Sequence, residues 1–591
     1  MELSVKRIDK RILVLCAVDI LIAFLAKLVH PVFSIWEILL IFYGFGCMLF
    51  FGYQLFFKNI KINILALLKL SFLLIMGVTL YSTMTYGQAN VHGDTAIATL
   101  LGRAELSHHS LFPRSWCYAN GDIWILDTQL AVLPFSLIMK DQVAARMLGT
   151  LLMVLIGIVS MIALDKTVLK ADEYIISLPV ICAFLFGGNT DLMWGNDHID
   201  YQASYTCWLF LIPIMCILVY RTFICTPDEK KKRYILYAIY TVFSIVCFAR
   251  GIRAIAELML PLTAACLLYV LLRDGLDALH KWYKGILYLV PMMIGCAMYK
   301  ILCATHIVNT SVTSGTAFVE SLETAFDNAK IVFINMFKVF GYNEGSNLAS
   351  VRGLANMVSI VSCILFCFVI PILQIKKYEE EPEGVKYFFL FAVIHNIEMI
   401  ISTIFLDKTS PSHILTFVLV SIMMSAVYVM RHWITGNRQA FIYGGLFIFA
   451  SVVMMLQLGL ASRGWIGKVA DRRAVAQELV DHGLNECKGY GTFWNIYPLS
   501  IYSDLALDVA AIGDSDIAFA LKPHLNLVDK EKYIPSDGGS YILLDYNENK
   551  EAGASLEDIF GECADKFEIS ENYIYVWDYD VCVNDFGGRT R

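Results

Sequence analysis

Charge is scarce in this sequence. Asp, Glu, Lys and Arg make up 17% of its 591 residues, against about 25% in a soluble globular protein, which excludes an ordinary soluble domain over most of its length. The glycine patterns of nucleotide and acyl chemistry are missing as well: there is no Walker loop, no Rossmann glycine pattern after a strand, and no Gly-x-Ser-x-Gly turn. Cysteine at zinc-ligand spacing is also missing. Cys16, Cys47, Cys182, Cys216 and Cys247 sit inside apolar runs as small hydrophobes, while Cys117, Cys487, Cys563 and Cys582 are scattered through polar segments. Neither a disulfide framework nor a resident cofactor is expected from them. Basic residues come only in short clusters that fit membrane topology, so no nucleic-acid surface is expected. The net charge of −7 decides little, because placement matters more than the sum.

What the sequence has in quantity is long apolar runs. They recur at about 20 residues each from the N-terminus to about residue 461, and each is long enough to cross a bilayer. They run continuously apolar rather than alternating, which excludes a barrel. The expected fold is an all-α polytopic membrane protein with juxtamembrane helices, followed by a small C-terminal α/β domain. Lys6, Arg7, Lys10 and Arg11 place the N-terminus in the cytoplasm, and the run after them reads as a retained first span rather than a cleaved signal.

Spans are expected at about 12–29, 34–56 and 62–82, and the third delivers residues 83–142 to the outer face. The next apolar stretch, Ile123–Met139, decides the topology. If it spans, the clusters at Lys166 and Lys170, Lys230 to Arg233, and Lys376 and Lys377 all fall outside. If it lies at the surface, all three become cytoplasmic, as the positive-inside rule requires. Asp127, Gln129 and Pro134 within it favour the surface helix. Further spans then follow at about 143–163, 173–187, 203–221, 234–249, 254–272, 285–303, 355–375, 386–406, 411–430 and 440–460, about thirteen in all. Outer loops fall at 83–142, 188–202 and 304–354, with a surface helix expected near Ala329 to Phe340. Residues 1–461 form the membrane domain. Residues 462–591 form an extracytoplasmic domain with strand-like runs at Tyr541 to Leu544 and Tyr573 to Trp577. The expected location is the cell membrane.

Candidate chemistry gathers in the outer loops. Asp94 opens a short helical stretch, where it either caps the helix or serves as a general base at the membrane surface. His92, His108, His109 and Arg114 share its loop. The loop 188–202 holds Asp191, Asp197, His198 and Asp200, which is either a solvated turn or a second catalytic contribution led by Asp197 and His198. Its Asp and His could ligate a metal, although no helical ligand spacing supports one. Arg250 and Arg253 lie at the outer end of two spans. They either snorkel to the interface or clamp a phosphate. His395, beside Asn396 and Glu398, is intramembrane and polar and belongs to a hydrogen-bonded interior or a cavity.

This arrangement resembles the GT-C superfamily of membrane glycosyltransferases, which includes protein O-mannosyltransferases and bacterial aminoarabinose and arabinosyl transferases. The resemblance rests on His92-Gly93-Asp94-Thr95 with the Ile123–Met139 helix in the first outer loop. It rests also on Asp191 to Asp200 in the second, and on Gly489-Tyr490-Gly491-Thr492-Phe493-Trp494-Asn495 in the C-terminal domain. The acidic pair of many members is Asp94-Thr95 here, and two additional spans precede the loop. The resemblance implies a polyprenyl-phosphate-linked sugar donor drawn from the membrane lipid and a glycan, lipid or protein acceptor. It implies inverting transfer with Asp94 as base and Arg250 and Arg253 on the phosphate, without a required metal. A transporter or flippase of lipid-linked saccharides is the competing reading, and a ligase or polymerase of such glycans a third. Polarity concentrated in the outer loops rather than along the spans favours the enzyme.

Overall fold

The computed structural model describes residues 91–119, 121–170, 206–276, 283–310, 318–342, 345, 347, 349–406, 414–433, 469–513, 521–524 and 526–581. The spans expected at 12–29, 34–56, 62–82, 173–187 and 440–460 lie outside the described residues, as do the loop 188–202 and the linker near residue 462.

The first described element is α1, Gly93–Ser107, followed by the short strand β1, Trp116–Tyr118, and the helix α2, Thr128–Ile138. Next come α3 (Gln142–Leu169), α4 (Trp208–Ile224), α5 (Lys230–Phe248), α6 (Ile252–Asp274) and α7 (Tyr283–Ala304). After strand β2 (Asn309–Thr310) come α8 (Leu322–Val339), α9 (Val351–Ile364, continuing helically to Lys377), α10 (Glu383–Phe405) and α11 (Leu415–Trp433). Among the described residues, six helices are long and apolar enough to cross a membrane: α3, α6, α9, α10, α11, and α7 from Leu287. Two expected spans differ from this. The first, α4, is a shorter apolar helix, and the second, α5, begins on four consecutive basic residues.

Side-chain caps set several helix starts. Asp141 accepts from Ala144 N at 2.9 Å ahead of α3, Ser321 from Thr324 N at 3.0 Å ahead of α8, and Ser350 from Gly353 N at 3.0 Å ahead of α9. The stretch 123–139 is helical only from Thr128, capped by Asp127. Eleven residues rise about 16 Å, half of a hydrocarbon core of about 30 Å. The helix α2 lies against α1 and α3, and Arg103 of α1 donates to Ser136 O at 2.7 Å. The segment 304–354 does contain a helix, α8, which packs on α10.

The C-terminal unit begins with a helix over 469–481, α12, and is built on a five-stranded sheet. Its strands are β3 (Lys488–Thr492), β4 (Asp508–Ile512), β6 (Ser540–Leu544), β7 (Asp565–Ile569) and β8 (Asn572–Trp577), in the order β4-β3-β6-β8-β7. The pairs β4–β3 and β3–β6 are parallel, and the β6–β8–β7 edge is antiparallel. The helix α13, Phe493–Tyr502, follows β3 directly and packs on both the sheet and α1. A further short strand, β5 (Val528–Asp529), leaves this sheet and pairs antiparallel with β1, whose other edge pairs parallel with β2. Three distant stretches of chain therefore meet in one small sheet. The buried apolar side chains form two clusters accordingly. One lies among the membrane helices, and the other joins α1 and β1 to the C-terminal sheet.

Candidate functional site

The start of α1 is closely enclosed. The cap position is His92, not Asp94: Thr95 Oγ1 accepts from His92 N at 2.9 Å, and Asp94 occupies the first turn. Capping therefore does not account for Asp94. Thr95, Ala96, Ile97 and Ala98 behind it are buried, which leaves Asp94 half-buried at the helix mouth. Gly93 is required here because Phe493 of α13 presses on it. A Cβ at this position would stand 2.2 Å from the Phe493 ring and 2.9 Å from its backbone oxygen.

Two arginines that the sequence reading passed over lie beside this end of α1. Arg146 is buried in the second turn of α3, and Arg472 of α12 donates to Val91 O at 3.1 Å. Both charges reach His92. Burial first, then Arg146 and Arg472, push its imidazolium down to about 3, so the ring is neutral at physiological pH. The His92 ring stands 5.2 Å from that of Trp494. The Trp494 Nε1–H is shielded from solvent and has no acceptor among the described residues. The motif Gly489 to Asn495 thus sets Phe493 against Gly93 and Trp494 against His92, as strand β3 turns into α13.

The other candidates of the first loop lie elsewhere. His108 caps the far end of α1, fourteen residues on from Asp94, or about 21 Å along the axis. His109 (φ +50°) and Arg114 are exposed at that end. Sequence proximity placed these five residues in one cluster, but the helix between them makes two sites.

Arg250 is fully buried. Its Nη2 lies 2.7 Å from Asp127 Oδ2 and 3.7 Å from Asp122 Oδ2, and Nη1 donates to Ile125 O at 2.5 Å. The backbone follows the same path, since Ile123 N donates to Arg250 O at 2.6 Å and Asp122 bridges Gly251. Gly251 (φ +131°) stands so close to Gly121 that a Cβ would meet its oxygen at 2.2 Å. Burial raises the Asp122 carboxyl, and it pushes Asp127 up to about 6 against the opposing pull of Arg250. The phosphate clamp expected of Arg250 does not fit a guanidinium already held by two carboxylates and a carbonyl. Its role is to fasten the strap 122–127 to the head of the membrane helices.

Arg253 differs in keeping an exposed flank. It lies 5.5 Å from the Trp208 ring, and its Nε is 3.1 Å from Glu257 Oε1. Glu257 sits in a wide π-turn of α6, Ile255–Met259, with Oε2 3.7 Å from His395 Nε2 of α10. His395 and Asn396 extend the polar contacts to Ser421 of α11, with Asn396 Nδ2 donating at 2.8 Å. His395 is thereby placed in a buried polar network. Asp191, Asp197, His198 and Asp200 lie outside the described residues.

No family model matches the chain, and no curated protein matches it. Among solved structures it is similar to ArnT from Cupriavidus metallidurans bound to undecaprenyl phosphate, at 12% identity and a TM-score of 0.46, over 88% of this chain and 99% of that one. It is similar also to the apo state of the same protein, at 11% identity and a TM-score of 0.42, over 82% and 93%. Likeness at this level carries no inference about chemistry.

Proposed function

We propose that this protein is a GT-C-type membrane glycosyltransferase that moves a sugar from a polyprenyl-phosphate donor to a cell-envelope hydroxyl on the outer face. The observation that carries the reading is the mouth of α1. There a half-buried carboxylate, Asp94, lies two residues after His92, on which the charges of Arg146 and Arg472 act and against which the Trp494 ring with its uncommitted indole N–H is set. In the proposed step the acceptor O–H gives its proton to Asp94 while its oxygen attacks the anomeric carbon. The bond from that carbon to the phosphate oxygen breaks, and the phosphate leaves with the electron pair. Attack opposite the leaving group inverts the centre. Arg146 and Arg472 offer positive charge to the departing phosphate, and Arg253, with its exposed flank, is a further candidate for that role. Arg250 is a positioning residue. Asp197 and His198 are proposed to complete the site from the second outer loop.

The decisive experiment is Asp94→Asn in proteoliposomes supplied with a polyprenyl-phosphate sugar and membrane acceptors. Loss of the general base lowers transfer by about 10²–10⁴-fold. Transfer at the wild-type rate by a correctly inserted variant refutes the assignment. A flippase of the same lipid draws on one observation, the buried Glu257–His395 pair among the membrane helices, reached from Arg253. Donor translocation without product formation, in the wild-type protein, selects it over the enzyme.

A further inference from the structure

The far end of α1 carries a second constellation that the proposed chemistry leaves unused. His108 Nε2 lies 3.5 Å from Glu531 Oε2 and 3.9 Å from Asp529 Oδ2, and one donor atom from each of the three residues falls within 4.8 Å of the others. We infer that His108, Asp529 and Glu531 form a binding site for a divalent transition-metal ion, zinc by chemistry, that fastens the C-terminal unit to the outer loop.

The backbone on both sides is fixed before any ion binds. β1 holds β5 in register, Trp116 opposite Asp529, and Lys530 N donates to Ser115 O at 2.9 Å. Asp529 Oδ1 accepts from Glu531 N at 3.1 Å, which leaves Oδ2 toward the imidazole. Ser115 Oγ stands 3.3 Å from the same ring nitrogen. Among the described residues neither carboxylate has a lysine or arginine partner, so two carboxylates from the C-terminal unit face the His108 ring across the junction with no lysine or arginine counter-charge. A cation supplies it.

The donor set selects the ion. One imidazole nitrogen with two carboxylate oxygens suits zinc and its neighbours in the first transition row, whereas calcium and magnesium take oxygen alone. Zinc bonds of about 2.0–2.2 Å in a tetrahedron put donors about 3.3–3.5 Å apart. The two distances to the imidazole, 3.5 and 3.9 Å, need a closure of about half an ångström or less, and the third donor pair lies within 4.8 Å before any ion draws it in. The Glu531 side chain is 55% exposed, which gives the ion a path in and leaves a fourth position to water. The site is remote from Asp94 by the length of α1, so its work is mechanical and distinct from sugar transfer.

The test uses the full chain in detergent, stripped with a chelator and dialysed, then titrated with zinc at neutral pH. Glu531→Gln and the double variant His108→Asn/Glu531→Gln serve as controls, the double variant reporting background binding by cysteines elsewhere. One zinc equivalent is expected on the wild type beyond that background. It is expected to raise the thermal midpoint and to be weakened at least about tenfold by Glu531→Gln, in line with the sensitivity of metal affinity to neighbouring ligands. Since Glu531 is exposed, that variant folds even if the double variant does not. Zinc binding and a thermal shift unchanged in Glu531→Gln overturn the site. So does a wild type that binds no zinc above background, and an equal response to calcium overturns the choice of ion.

Discussion

Replacing Arg250 by Met tests the claim that it holds the strap rather than the substrate. Methionine keeps comparable volume and removes the charge. The variant leaves Asp122 and Asp127 buried with no cation 2.7 to 3.7 Å away, and it strips Ile125 O of its donor. Breaking one side of a buried ion pair costs about 3–5 kcal/mol. Protonation moderates the loss. Asp127 is already pushed up to about 6 with Arg250 in place, and removing the arginine raises it further. A carboxyl with a raised folded-state pKa stabilises the fold below that value and loses the contribution as pH rises through it. The defect is therefore smallest near pH 5.5 and grows toward pH 8. Thermal unfolding followed by tryptophan fluorescence at both pH values gives the readout, with Asp127→Asn in the same background to measure the coupling. The double variant should recover part of the loss, because one orphaned carboxylate is gone. If Arg250→Met melts like the wild type at pH 8 and only the KM for donor rises, Arg250 contacts phosphate and the strap argument is wrong.

Three further outcomes follow from the junction around α1. Gly93→Ala forces its new methyl into the Phe493 ring and backbone and should destabilise the α1–α13 contact by about 1–3 kcal/mol. Adding Phe493→Leu restores the melting midpoint if the ring is the obstacle. His92, held down to about 3 in the folded protein against about 6.5 unfolded, takes its proton only in the unfolded chain between those values. Stability should therefore fall by up to about 1.4 kcal/mol per unit as pH drops below 6.5. His92→Gln should flatten that slope, and an unchanged slope dissociates it from His92. Arg472→Met should raise the KM for a polyprenyl-phosphate sugar about tenfold or more, since charge-assisted bonds contribute about 1.5–3 kcal/mol. An unaltered KM removes Arg472 from the site.

The apolar runs α3, α6, α9, α10 and α11 were legible because about 20 residues without charge have few alternatives to a membrane span. The surface reading of Ile123–Met139 rested on the positive-inside rule and on Asp127, Gln129 and Pro134. The structure gives two of those residues their work, since Asp127 caps α2 and pairs with Arg250, and Gln129 donates to Trp124 O. The strands at Tyr541 to Leu544 and Tyr573 to Trp577 were visible from their composition, and they pair with each other. The short strands β1, β2 and β5 were not visible, because two or three residues carry no period. Of the described residues in the proposed site, His92, Asp94 and Arg253 could be read from the sequence as polar groups at the ends of apolar runs. His108 and Arg114 were grouped with them by loop proximity, which ignores that a helix carries its ends apart. Arg250 was assigned to phosphate from its position at a helix end, although its two carboxylate partners lie more than a hundred residues earlier in the sequence. Arg146 was hidden inside an apolar run. The available signal was an ionisable side chain within a span, which faces an interior or a cavity.

The small sheet made by β2, β1 and β5 sets an order of assembly. β1 emerges early, its first partner at Asn309 much later, and its second at Val528 some four hundred positions after it. Until then the middle strand has one open edge, and before that two, each with unpaired backbone groups. The small sheet beside the segment that holds Asp94 is therefore completed only once Val528 has been synthesised. A protein truncated ahead of Val528 keeps its apolar helices but leaves β1 with an exposed edge, which ties the setting of that segment to residues some four hundred positions further on.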